Sequence, residues 1–91
     1  MSVTISISTA LRRFADNLDE LVVNAGHVES ALAEAARHHP KLGAQLFTED
    51  GRVRGFILVF VNGRNIKHLQ QQQTQLTDGD RISLVPAIAG G

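Results

Sequence analysis

The carboxyl end of the chain contains the residue types most suited to chemistry. The last six residues carry no charge and one bulky aliphatic side chain, and they run Pro86, Ala87, Ile88, Ala89, Gly90, Gly91. Glycine has no Cβ, so a partner's backbone or a nucleotide phosphate can approach such a segment closely. A terminal glycine also presents an unhindered α-carboxylate. The pattern favours a tail that threads a narrow channel in another protein over a frayed, functionless end.

Other polar residues are better explained by structure than by catalysis. No cysteine is present, and no His-x-x-x-His pair occurs among the histidines, which are His27, His38, His39 and His68. His38 and His39 suit the negative end of a helix dipole. Asp78 and Asp80 suit a turn closed by side-chain hydrogen bonds. With no nucleophile elbow, phosphate loop or dinucleotide fingerprint, we expect neither a catalytic nor a metal-binding residue, and no enzyme.

The composition limits the partners and the location of the protein. Nine Lys and Arg balance nine Asp and Glu, which argues against a nucleic-acid binder with its basic patch. No run approaches the roughly 18 apolar residues of a membrane span, and the first residues do not resemble a signal peptide. The 91 residues are enough for one domain. We therefore expect a small cytoplasmic domain that contacts neither membrane nor nucleic acid.

The first half of the sequence predicts a hairpin followed by a helix. Period-two alternation predicts a strand at 3–8 and a second strand at 18–23. The next apolar residues recur at helical spacing and predict a helix from about His27 to Pro40; they are Val28, Ala31, Leu32, Ala35 and His39. Its cap is expected to be weak, because Gly26 or His27 stands where Ser, Thr, Asp or Asn is preferred.

The second half of the sequence completes a mixed sheet. Six consecutive apolar residues at 56–61 predict a strand covered on both faces, and 81–86 alternate again. Between helix and strand, a short helical piece tucks Leu42, Leu46 and Phe47 onto the core, 65–66 pair briefly, and the glutamines at 70–73 form a surface turn. One main helix on a mixed sheet predicts an α+β domain of the ubiquitin-like β-grasp type, over 1–86, with a flexible tail at 87–91.

The ending of the chain resembles that of the ubiquitin-like sulfur carrier family. The matching residues are Leu76 to Asp80, then Ile82 and Leu84, then the six residues that end in Gly90 and Gly91. The rest of the chain matches more loosely. The family comprises the small subunit of molybdopterin synthase, the thiamine sulfur carrier, and the carrier of a thiocarboxylate route to cysteine.

The resemblance implies a mechanism in which the chain is a cosubstrate. An E1-like enzyme would use MgATP to adenylate the carboxylate of Gly91, and sulfur would replace AMP to leave a thiocarboxylate. Partners would recognise the tail through Pro86, Ala87, Ile88, Ala89 and Gly90. The chain itself would bind no cofactor.

Several alternatives stay open at the level of sequence. We expect molybdopterin synthase as the first acceptor, because the segment at 41–55 makes the chain longer than a thiamine carrier; cysteine synthase and thiazole synthase are the others. A protein modifier joined to lysines through Gly91 is the main alternative function, and a plain binding module is a third. Phe56, Leu58 and Phe60 form a candidate partner surface if they share an exposed face, although the segment at 41–55 could cover it instead.

Overall fold

A computed structural model describes residues 2–87, which form one five-stranded sheet with helices packed on one face. The strands are β1 (Ser2–Ile7), β2 (Glu20–Asn24), β3 (Ile57–Val61), β4 (Arg64–Asn65) and β5 (Arg81–Pro86). They lie in the order β2-β1-β5-β3-β4. β1 runs parallel to β5, and the other neighbours are antiparallel. This is the predicted β-grasp arrangement, with β5 at its centre between β1 and β3.

The core lies between the inner face of the sheet and the helices α1 (Val28–His38) and α2 (Pro40–Leu46). Alternate residues of β1, β3 and β5 point into it, as does Val23 of β2. The largest fully buried side chains are Ile5, Ile7, Leu32, Leu42, Leu46, Leu76, Ile82 and Leu84. Burying each such side chain stabilises the fold by about 1.5–3 kcal/mol relative to leaving it exposed.

The start of α1 differs from the prediction of a weak cap. His27 is the N-cap residue, and its Nδ1 accepts a hydrogen bond from the backbone N–H of Ser30 at 3.1 Å. The Ser30 hydroxyl in turn accepts from the His27 backbone N–H at 3.4 Å. This is a reciprocal capping box built on an imidazole nitrogen. The prediction was wrong because the usual preference concerns side-chain oxygens, whereas a neutral imidazole also offers an acceptor.

Pro40 ends one helix and begins the next. α1 stops at His38, and Pro40 occupies the first turn of α2, where its missing N–H has no helical partner to lose. Leu42 and Leu46 of α2 are completely buried, which confirms the predicted short helical piece. Phe47 follows α2 and packs, partly buried, against the core.

The strand boundaries shift where backbone turns intervene. β2 begins at Glu20 instead of Leu18, because Asp16 and Asn17 adopt positive φ angles of 54° and 62°. The connection between β1 and β2 also contains a 3₁₀ segment, Thr9–Phe14, with Leu11 buried. β4 comprises Arg64–Asn65, since Ile66 turns into the core and starts a further 3₁₀ segment.

The third strand is buried on one face only, so the expectation of cover on both faces was wrong. Ile57, Val59 and Val61 are buried, whereas Leu58 and Phe60 are intermediate in exposure. Phe56 precedes the strand in a turn and is 47% exposed. The physical reason is that the helices pack against the inner face, and the outer face has no second layer in the described residues 2–87.

The glutamine run forms a largely exposed turn, as predicted, and makes several hydrogen bonds to other parts of the chain. Gln71–Gln73 adopts a 3₁₀ turn, and Gln72 Oε1 accepts a hydrogen bond from the Val53 N–H at 3.2 Å. The run therefore also anchors the loop that follows α2.

Candidate tail and docking surface

The tail leaves the sheet from the end of β5, directly beside the start of β3. Pro86 is the last residue of β5 and pairs with Ile57, and the backbone N–H of Ala87 donates to the carbonyl of Phe56. These bonds fix the root of the tail against β3. The predictions for Ile88, Ala89, Gly90 and Gly91 concern residues that lie outside the described part of the chain.

Beside this root, apolar side chains of β3 and β5 lie on the outer face of the sheet, next to Ser83, which pairs with Phe60. Leu58 pairs directly with Val85, so their side chains are neighbours on the face opposite the helices. Val85 is 38% exposed, and Phe56 lies where the tail begins. We call Phe56, Leu58, Phe60 and Val85 the outer apolar face.

The structure brings together the surface residues that the sequence singled out, and adds one. Phe60 and Leu58 share the outer side of β3 by strand alternation, and Phe56 borders them. Val85 was not selected from the sequence, although the alternation of 81–86 already placed it opposite the buried Ile82 and Leu84. Because α2 packs on the side of α1 and contributes Leu42 and Leu46 to the core, the helical part of the segment at 41–55 does not cover this face.

A polar network holds the two strands of this face in register at the opposite end. Asn62 accepts from the Arg81 N–H at 3.0 Å and donates to Asp80 Oδ1 at 3.0 Å. Asp80 Oδ2 accepts from the Thr77 N–H at 2.8 Å. The backbone N–H of Thr77, followed by the amide of Asn62, lowers the pKa of Asp80 below its ordinary value. The interpretation of this aspartate as a turn residue is therefore confirmed.

Asp78 has a similar structural role. Its Oδ1 accepts from the Ser2 backbone N–H at 2.8 Å, which ties the start of β1 to the turn before β5.

The histidines at the end of α1 lie close to carboxylates. His38 Nε2 lies 3.6 Å from Glu34 Oε2, and His39 Nδ1 lies 3.1 Å from Asp16 Oδ2. Arg37 binds Glu34 through two nitrogens at 3.0 and 3.1 Å, and its hydrogen bond is the main cause of the lowered pKa of Glu34. Within residues 2–87, no three His, Cys, Asp or Glu side chains are grouped to hold a metal ion.

Helices able to cross a membrane are absent from the part of the chain that the structure describes, since none is both long and apolar enough.

The sequence matches the model of the ThiS family over residues 5–91. A candidate sulfur carrier protein from Archaeoglobus fulgidus is 40% identical over 47 residues, which are 52% of this chain and 53% of that protein. The chain thus spans about half the length of this relative. The sulfur carrier protein CysO of Mycobacterium tuberculosis is 24% identical over 93 residues, with both chains fully covered.

Solved structures share the whole fold. The crystal structure of the BexX/CysO complex from Amycolatopsis orientalis matches with a TM-score of 0.89 and 28% identity, over 98% of this chain and 99% of that chain. The solution structure of small archaeal modifier protein 1 from Methanosarcina acetivorans matches with a TM-score of 0.90 and 28% identity, over 99% and 96%. Carriers and modifiers therefore both resemble this chain.

Proposed function

We propose the following function because the chain belongs to the ThiS family of ubiquitin-like sulfur carriers. The protein carries sulfur as a thiocarboxylate on Gly91 and donates it to a biosynthetic enzyme. The observation that carries this proposal is that the family match extends to Gly91. The hydrogen bond from the Ala87 N–H to the Phe56 carbonyl supports the proposal, because it holds the last described residue of the chain beside the outer apolar face.

The proposed chemistry needs no catalytic side chain in the carrier. A carboxylate oxygen of Gly91 attacks the α-phosphorus of MgATP on an E1-like enzyme, which releases pyrophosphate and leaves an acyl adenylate. Hydrosulfide, free or released from a persulfide by a thiol, then attacks the carbonyl carbon, and AMP leaves. The product is a thiocarboxylate. Activation and transfer belong to the partners, which hold the reacting groups together and so raise their effective concentration. The chain acts as a cosubstrate or as the non-catalytic subunit of a complex, and it binds no cofactor of its own.

The outer apolar face is the proposed docking surface for the E1-like enzyme and for the acceptor. Phe56 is 47% and Val85 38% exposed, and an exposed apolar patch usually marks an interaction site. The Ala87 N–H and the Phe56 carbonyl bind each other, so a partner seated on this face also holds the root of the tail. The docking surface thus sets where the tail enters the partner, and Gly90 and Gly91 allow it to pass a narrow channel.

Three enzymes are candidate acceptors of the sulfur. We test the large subunit of molybdopterin synthase first, because the segment at 41–55 favours that subfamily, and then cysteine synthase and thiazole synthase. Full-length similarity to a sulfur carrier supports the carrier role and does not select one acceptor.

Intact mass spectrometry tests the proposal directly. The chain is incubated with an E1-like enzyme, MgATP and sulfide. Replacement of one terminal oxygen by sulfur is expected to add about 16 Da. The same reaction without sulfide, and a variant lacking Gly91, are the controls and should show no addition. A chain that never gains this mass with any family E1-like enzyme, while the acyl adenylate also fails to form, would contradict the proposal.

A protein modifier is the second candidate, favoured by the similarity to small archaeal modifier protein 1. Both functions begin with adenylation of Gly91, so activation alone does not separate them. Expression of a tagged chain in its native cells separates them: adducts of higher mass on other proteins, lost when Gly91 is deleted, would favour the modifier. Thiocarboxylate without adducts would favour the carrier.

A further inference from the structure

We propose that the free edge of β2 pairs with the β2 edge of a second copy of this chain, in an antiparallel, two-fold symmetric arrangement. The inference does not depend on the proposed function, because it rests on the β2 edge of the sheet, which β1 separates from the strand that leads into the tail.

The hydrogen bonds of β1 show which backbone groups of β2 face outward. The Ile7 N–H donates to the Asp19 carbonyl at 2.8 Å, so Asp19 faces β1. In an antiparallel ladder the residues alternate, and Leu21 and Val23 therefore also face β1. The N–H and C=O groups of Glu20, Val22 and Asn24 point away from the sheet. Within residues 2–87, the Val22 N–H makes no hydrogen bond to a turn or loop, and the alternation of the ladder directs it away from β1.

This edge lacks the usual protection against pairing. Native edge strands are commonly very short, or carry lysine, proline or a bulge. β2 has five residues without lysine or proline, and Val22 at its centre is 70% exposed. The opposite edge is different, because β4 has only two residues.

A second β2 complements the first on both faces. With Val22 placed opposite Val22 of the second copy, Glu20 lies opposite Asn24. Glu20 Oε2 accepts from Arg81 Nη1 at 2.7 Å, and Oε1 is left to accept from the Asn24 amide of the second copy. On the inner face, Leu21 lies opposite Val23. No like charges oppose each other in this register, and the formal net charge of the chain is zero. A groove of about 190 Å³ between β2 and α1 leaves room for the approaching side chains; its lining is Leu21, Val22, Val23, Ala35, His38 and His39.

The geometry predicts a closed and weak dimer. A two-fold pairing uses both β2 edges, so it ends at two chains and does not propagate into a fibre. A pair of five-residue edges is expected to bury less than the roughly 1,000 Å² of a stable interface, so we expect a weak dimer with a dissociation constant of about 1 μM to 1 mM. The outer apolar face stays free, because β1 separates β2 from β5 in the sheet.

Sedimentation measurements over a range of chain concentrations up to about 1 mM test the inference. The expected result is an average mass that rises toward twice 9.9 kDa, with amide exchange of Val22 slowing in parallel. Val22→Pro removes the outward N–H without removing a bond to β1 and should weaken dimerisation at least about tenfold; proline is tolerated on such edges. Val22→Lys should also weaken dimerisation, because it places a charge at the centre of the paired strands. Val85→Lys, a matched change of an exposed valine on β5, should leave dimerisation unchanged.

Three outcomes would overturn the inference. One is a monomer at every concentration. Another is a dimer that both Val22 variants leave intact while thermal melts show them folded. The third is protection of the Val22 N–H only when a partner enzyme is added, which would assign the edge to an extended segment of that enzyme. Because the Val22 variants are expected to form thiocarboxylate normally, failure here is distinct from failure of the proposed function.

Discussion

At the scale of single residues, the cap of α1 depends on one imidazole nitrogen. His27→Ala removes the acceptor for the Ser30 N–H and is expected to cost about 1 kcal/mol of unfolding free energy. In a domain of this size that lowers Tm by about 4–8 °C. His27→Asn, which supplies a side-chain oxygen, should remain within about 0.5 kcal/mol of the wild type. Thermal melts by circular dichroism measure both variants. Equal melting of His27→Ala and the wild type would show that the capping bond contributes nothing.

The sequence could locate this cap but not its strength. The helix was expected near His27, and α1 does begin at Val28. The bond depends on the tautomer and rotamer of the ring and on a reciprocal bond from Ser30, which are tertiary details. A serine three residues after the cap was the available signal, although the usual capping box has Glu or Gln there.

At the scale of elements, α1 and α2 approach too closely for a side chain at Gly43. A Cβ built there would lie 2.6 Å from the Cβ of Ala36. Gly43→Ala gains about 1 kcal/mol of helix propensity. Forcing a methyl group into the contact costs about 1–3 kcal/mol. We expect a net destabilisation of up to about 2 kcal/mol, measured by chemical denaturation.

Gly26→Ala is the matched control for this substitution. A Cβ at Gly26 meets nothing within 4 Å, so its unfolding free energy should change little. If Gly43→Ala proves more stable than the wild type, α2 can shift away from α1 at low cost, and the close packing of the two helices is not required.

The outer apolar face provides a second test at this scale. Phe60→Asp places a charge on the face that is proposed to dock on the E1-like enzyme. Because Phe60 is not buried against the helices, Tm should fall only slightly. Thiocarboxylate formation should slow at least about tenfold, because the substitution removes a central interface anchor. Val22→Asp is the control, since Val22 is exposed on the same side of the sheet but at the β2 edge.

Thiocarboxylate formation and Tm together distinguish the possible results for Phe60→Asp. Normal activation of Phe60→Asp would remove this face from the docking surface. A large loss of thermal stability would identify Phe60 as a core residue.

The sequence pattern predicted the helices and strands better than it predicted which of their faces other parts of the chain cover. The alternation in β1 and β5 and the helical spacing in α1 named the buried residues correctly except for His39, because one-sided burial leaves a periodic signal. His39 follows the end of α1 and is only partly buried. The six apolar residues at 56–61 carry no such signal, so the pattern could not show that Leu58 and Phe60 face outward without a second layer. Nor could it show the hydrogen bond between Ala87 and Phe56, which joins residues distant in sequence.

At the scale of the whole molecule, folding and the proposed chemistry belong to different parts of the chain. The buried core residues run from Val3 to Leu84 and draw on every element except β4 and the glutamine turn. The proposed reacting group lies at Gly91, beyond the described residues. We therefore expect changes at 88–91 to leave the packing of these core residues unaltered.

Truncation after Ala87 tests this separation. Removing 88–91 keeps the core residues and the bond from Ala87 to Phe56. We therefore expect Tm to change by less than about 2 °C, which corresponds to a change of a fraction of a kcal/mol in the free energy of unfolding. The truncated chain should still compete with the full chain for the E1-like enzyme through the outer apolar face, yet form no adenylate. Adding Phe60→Asp to the truncation should abolish the competition as well. A truncated chain that melts much earlier would mean that the tail supports the fold, and a folded one that no longer competes would place most of the recognition in the tail.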